Sequence, residues 1–125
     1  MKKLKKAITF IVSISMIATL SACGESLPEG MSQELYDTGV NALKIMDKYN
    51  DADINAEEAE SRLDALYDKI DGMDLSDEPN KGEICSESFQ ALMIQSDIIL
   101  YKNALLLNKD TYTIADELRE RLELD

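Results

Sequence analysis

The sequence predicts an all-α fold, a small bundle of three main helices with a short fourth at the C-terminus, and three observations predict it. Apolar side chains recur at three- and four-residue steps in four separate stretches, which is the period of a helix with one buried face. Nowhere do apolar and polar residues alternate for long enough to mark a strand. Residues suited to opening or closing helices, Ser32, Asn55 and Gly72, stand at the borders of those stretches.

Before the bundle comes a leader, residues 1–22. Lys2, Lys3, Lys5 and Lys6 form a positive start that holds the cytoplasmic side during export. Ala7 to Ala22 follows without a charge, 16 residues long and so short of the roughly 20 that a spanning helix requires. It ends in Leu20-Ser21-Ala22-Cys23, which resembles the lipobox of bacterial lipoproteins. The resemblance implies cleavage between Ala22 and Cys23 and a diacylglyceryl group on the Cys23 sulfur, with or without an N-acyl chain on its amine. A thiol suits that attachment because a partly ionised thiolate attacks where a serine hydroxyl would not. Two acyl chains of palmitate size carry about 30 methylenes at about 0.8 kcal/mol each, on the order of 20 kcal/mol of insertion energy. The address implied is the extracytoplasmic face of a membrane. Gly24 stands where an Asp would imply inner-membrane retention, so the outer membrane is open to the protein if the cell has one.

With the leader removed, nine of the 13 basic side chains remain against all 25 acidic ones, and the formal charge moves from −12 to −16. So acidic a domain is a poor partner for nucleic acid, which demands a positive face. It is also repelled by an anionic bilayer, so the lipid must do the holding. High charge serves solubility first; as a recognition device it suits basic proteins, cationic peptides or metal ions. Cys23 is committed to lipid, which leaves Cys85 without an intrachain disulfide partner, and the fold has to stand on packing.

In chain order, residues 23–31 read as the lipidated cysteine and a flexible tether, with two glycines and a proline in Gly24–Gly30. The bundle is expected to occupy residues 32–125. Ser32 opens a first helix to about Tyr49, with Leu35, Tyr36, Val40, Leu43 and Met46 on one face and Gly39 placed to admit a close neighbour. Asn55 caps a second, Ala56 to about Asp71, with Glu58 as its reciprocal partner, a seam of Ala59, Leu63, Leu66 and Ile70, and Gly72 as a left-handed stop. The 73–82 segment, rich in Asp, Ser, Pro and Gly, reads as a connector, with a functional loop as the other possibility.

The third helix, about Glu83 to Leu107, carries two apolar stripes. One is Cys85, Phe89, Leu92, Ile99 and Leu106; the other is Ile84, Ala91, Ile94, Ile98, Tyr101 and Leu105. A helix so widely apolar is expected at the centre of the bundle, with any uncovered stripe left for a partner or a second copy. Cys85 near its start is expected to be a small buried hydrophobe rather than a reactive thiol. A last helix, about Thr111 to Leu122, presents Ile114, Ala115, Leu118 and Leu122, with Glu117 and Arg121 as a surface pair.

Chemical signals are few. Asp51, Asp53 and Asn55 alternate like the start of an EF-hand loop, but Ala56 replaces its glycine and Arg62 stands where a bidentate Glu is required. The chain has no histidine, hence no Ser-His-Asp or Cys-His arrangement, and no glycine-rich phosphate loop. Without Trp, and with five Tyr and two Phe, it is poor in the aromatic platforms of a sugar cleft. No enzymatic activity and no cofactor beyond the Cys23 lipid is expected. Beyond the lipobox, the chain is similar to small helical lipoproteins of unassigned function, chiefly through Tyr49–Ala59, a likeness that implies no site residues. The functional expectation is a non-catalytic module binding an envelope protein or peptide, basic in character, or another copy of itself. The alternative is a cation or small-ligand receptor using carboxylates of the 51–58 turn and the 74–78 loop.

Overall fold

The computed structural model describes residues 27–79, 82 and 84–124. The expected leader, with Ala22 and Cys23 at its expected cleavage point, and residues 24–26 lie outside the described residues. Four helices make up the bundle: α1 (Gln33–Asn50), α2 (Ala56–Asp71), α3 (Glu87–Leu106) and α4 (Tyr112–Arg121). Among the described residues there is no strand, and no helix is long and apolar enough to cross a membrane.

Direction follows from cross-helix bonds. Tyr101, late in α3, donates its hydroxyl to the Met46 carbonyl at the end of α1 (2.9 Å), so α1 and α3 run parallel. Lys102 pairs with Asp64 and Gln95 reaches the Tyr67 carbonyl, which sets α2 antiparallel to α3. Thr111 and Tyr112, at the start of α4, bond Asn50 at the end of α1, while Leu122 past its end lies against Gly39, which sets α4 antiparallel to α1. The result is an up-down-up-down bundle in which α2 and α4 flank the α1–α3 pair without touching each other.

Three of the four helices start at a side-chain cap. Ser32, Asn55 and Ser86 accept from the amides of Leu35, Glu58 and Phe89, satisfying donors that the helix itself leaves free. Glu58 does not complete the expected box; its carboxylate goes to Arg62 at 2.7 Å. Gly72 closes α2 in a right-handed conformation (φ −88°), not the left-handed one expected, with its N–H returned to the Asp68 carbonyl.

The core takes Leu35, Leu43 and Met46 from α1, Leu63 and Ile70 from α2, Ile94, Ile98 and Tyr101 from α3, and Leu118 and Leu122 from the end of the chain. Tyr49 stands edge-on to Tyr101, ring centroids 6.3 Å apart. Gly39 lets α1 sit close to its neighbours: a Cβ there would lie 2.9 Å from the Leu122 Cδ2 and 3.3 Å from the Ile94 Cδ1, and those side-chain ends would have to move.

The end of the expected tether is folded. Pro28 and Met31 are buried, the Met31 amide donates to the Pro28 carbonyl, and Glu29 accepts from the Ile84 amide. Gly30 has φ +74°, and a Cβ there would lie 2.5 Å from the Cys85 carbonyl oxygen, so only glycine allows this close approach. The chain leading into the bundle is thereby bound to the start of α3.

Candidate functional site

The third helix decides which surface is available. It begins at Glu87, four residues later than its apolar pattern suggests, because the Ser86 side chain captures the Phe89 amide and stops the helix there. Ile84 and Cys85 therefore precede it. Ile84 is 87% exposed instead of buried, and Cys85 is half-buried in the turn against Gly30.

Of its two stripes, Ala91, Ile94, Ile98 and Tyr101 enter the core, with Leu105 packed at its edge. The other faces out: Phe89 is 48% exposed, Leu92 58%, Ile99 43% and Leu106 80%, joined by Leu100 and Leu107. The expectation of a fully surrounded central helix is thus corrected. Three other helices cover one side of α3, and the two that flank it are too far round to reach the opposite side.

On α3 itself that outer side carries no acid, although Leu92 shares a shallow depression with Asp71 and Asp74 at the end of α2. From Ser88 to Lys109 the only charged residues are Asp97, Lys102 and Lys109, in a chain with 25 carboxylates. Asp97 turns inward and is buried, its carboxylate held by the Arg121 guanidinium at 2.7 Å. Lys102 lies to the side, bonded to Asp64. The expected Glu117–Arg121 surface pair is replaced by this inward one, because a buried carboxylate without a partner costs far more than an exposed pair returns.

The opposite end of α3 holds a polar cluster. Asn50 Oδ1 accepts from the Tyr101 hydroxyl at 2.9 Å and from Thr111 Oγ1 at 2.5 Å, while the Tyr112 hydroxyl donates to the Asn50 carbonyl. Burial disfavours a phenolate, so the Tyr101 hydroxyl is pushed up to about 12. Asp110 accepts from the Thr113 hydroxyl and from the amides of Tyr112 and Thr113, and these bonds hold its carboxyl below the usual range. The Arg119 guanidinium is raised by the bonds its Nη2 donates to both Asp47 carboxylate oxygens.

Beside this cluster an open cleft of about 600 Å³ is lined by Asp53, Asn55 and Glu58 on one side and Lys109 and Tyr112 on the other. Of the EF-hand-like residues it brings in Asp53 and Asn55 but not Asp51. Asn55 Oδ1 accepts from the Glu58 amide, and Glu58 Oε1 pairs with Arg62, so both are already engaged within α2. Among the described residues no three or more His, Cys, Asp or Glu side chains are gathered where one ion would bind. The 51–58 turn and the 74–78 loop do not form one site: they lie at opposite ends of α2, about 24 Å apart along a helix of 16 residues. The loop is instead tied to α3 through the Ser88 amide on the Ser76 carbonyl.

A third surface, a shallow groove of about 400 Å³ on the α1–α2 hairpin, gathers Lys44, Lys48 and Arg62 around Ile45 and Leu66. The Asp97–Arg121 and Asp47–Arg119 pairs and the Asn50 cluster have no signature in the sequence, since partners 24 to 72 residues apart leave no periodic trace. No family model, no curated protein and no solved structure matches the chain.

Proposed function

We propose that the protein is a lipid-anchored, extracytoplasmic interaction module that performs no catalysis and binds through the outer face of α3. The observation that carries this reading is the uncovered row of Phe89, Leu92, Ile99 and Leu106, unbroken by any carboxylate. An apolar surface maintained against water on a chain this acidic is the signature of a contact surface. The address rests on the leader and on Leu20-Ser21-Ala22-Cys23. The folding of Leu27–Met31 onto the start of α3 is consistent with it, since a short link holds a small domain close to its anchor.

Two measurements test it in cells producing the full chain. A palmitate analogue should label the protein and should fail to label Cys23→Ala; label retained by that variant, or absent from both, overturns the address. A photo-crosslinking residue at Leu92 should form adducts, whereas one at Glu117 on α4 should not; equal or absent adducts overturn the contact surface.

A second reading, a small-ligand or cation receptor, is favoured by the cleft that Asp53, Asn55 and Lys109 line. It requires millimolar calcium or another ligand to raise the melting temperature, because whatever binds only the folded state stabilises it in step with saturation.

A further inference from the structure

The outer face of α3 has a finer order than an apolar patch. Phe89, Leu92, Ser96, Ile99, Asn103 and Leu106 follow one another at steps of three, four, three, four and three. That is the a/d spacing of a coiled coil, with Phe89, Ser96 and Asn103 at a and Leu92, Ile99 and Leu106 at d. Ile94 and Tyr101 then fall at f, directly opposite the seam, and both are fully buried in the bundle. One helix thus serves two interfaces, its own core on one side and a heptad seam on the other.

We infer that this seam pairs with the α3 of a second copy of the chain, parallel and about a two-fold axis along the helix. The inference rests on the reading of the protein as lipid-anchored. Three observations select this occupant. A copy of charge −16 is repelled by its twin over most of its surface, and the outer row of α3, which carries no carboxylate of its own, lowers that repulsion. Asn103 at an a position meets its own equivalent across a parallel two-fold axis, where the two amides bond each other; in an antiparallel pair it would face an apolar residue. Finally, Leu27–Met31 packs beside the start of α3. Parallel pairing therefore brings the Leu27 ends of both copies to the same side of the dimer. The four residue steps from Cys23 to Leu27 span at most ~14 Å, so both lipids reach the same membrane.

The size of the seam explains why the anchor matters. Phe89 to Leu106 is about 26 Å of helix, and a face ~10 Å wide gives on the order of 300 Å² per copy, well under the ~800 Å² per partner of a standard interface. Pairing is weak in dilute solution. Confinement to a membrane surface raises the effective concentration and makes it appreciable.

The test is site-directed crosslinking in intact cells producing the full chain, in a Cys85→Ser background, with a short bifunctional maleimide. Ser96→Cys and Asn103→Cys should each give a dimer of twice the chain mass, and Glu117→Cys should not. Adding Ile99→Glu to Asn103→Cys should abolish the dimer without lowering the melting temperature, since Ile99 lies outside the core; loss of dimer together with unfolding is distinguished by that melt. A dimer at Ser96→Cys alone indicates antiparallel pairing and overturns the inference. So does an adduct of any other mass, dimer at Glu117→Cys in equal yield, or none at either seam position. Palmitate labelling separates the two layers: labelled protein without dimer removes the pairing alone, and dimer without label removes the anchor alone.

Discussion

Ile98 and Ile99 are adjacent and chemically identical, yet the first is sealed in the core and the second is 43% exposed. The same holds for α3 as a whole: Ala91, Ile94, Ile98 and Tyr101 are packed into the core, and Phe89, Leu92, Ile99 and Leu106 stay largely exposed. Composition does not separate the two faces. What separates them is the polar company each keeps, since the inner face carries Asp97 and Tyr101 with dedicated partners and the outer carries Ser96 and Asn103 without a charge between them. A buried polar group has to be satisfied on site, and a surface awaiting a partner has to avoid repelling it.

The contrast can be broken by substitution. Arg121→Met should be the most damaging change, costing about 3–4 kcal/mol, because it strands the buried Asp97 carboxylate without its cation. Chemical denaturation measures this, and Asp97→Asn with Arg121→Met together should recover much of the loss. Next, Ile98→Ala should cost about 3 kcal/mol through the cavity it opens, whereas Ile99→Ala in detergent-dispersed, unpaired protein should cost under ~0.5 kcal/mol. Equal losses at the two positions would erase the difference between the faces.

Tyr101→Phe should cost about 1 kcal/mol, the worth of one hydroxyl shared between Met46 and Asn50. It also carries a pH signature. The folded state holds the Tyr101 proton more tightly than the unfolded state, so its contribution is complete below pH ~10 and is lost as pH climbs toward ~12, by up to ~1.4 kcal/mol per pH unit. Urea melts between pH 9 and 12 should show this slope in the natural chain and a shallower one in Tyr101→Phe. Smallest of the set, Ser86→Ala should cost about 0.5–1 kcal/mol by freeing the Phe89 amide. Hydrogen exchange should then show faster opening at the first turn of α3, the root of the proposed seam.

Much of the fold is legible from spacing. The caps at Ser32 and Asn55, the faces of α1, α2 and α4, and both stripes of α3 rest on interactions within a few residues, which periodicity reports directly. The start of α3 is not legible in the same way, because Ile84 and Cys85 extend its apolar rhythm, and a pattern of hydrophobicity is blind to a serine that captures an amide. The folded end of the tether is hidden for another reason: Pro28 and Gly30 are breakers in a free chain and equally apt for a tight turn pressed on the Cys85 carbonyl.

Sequence alone determined that this chain is helical, strongly acidic, and furnished with two apolar stripes on one helix, because local spacing and charge count depend on no distant contact. Which stripe turned inward was a tertiary decision. It was made where Arg121 reached Asp97 and Asn50 gathered Tyr101 and Thr111, since burying those polar groups was tolerable only with partners in place. With them satisfied, three helices closed over one side of α3 and no described element remained to cover the other.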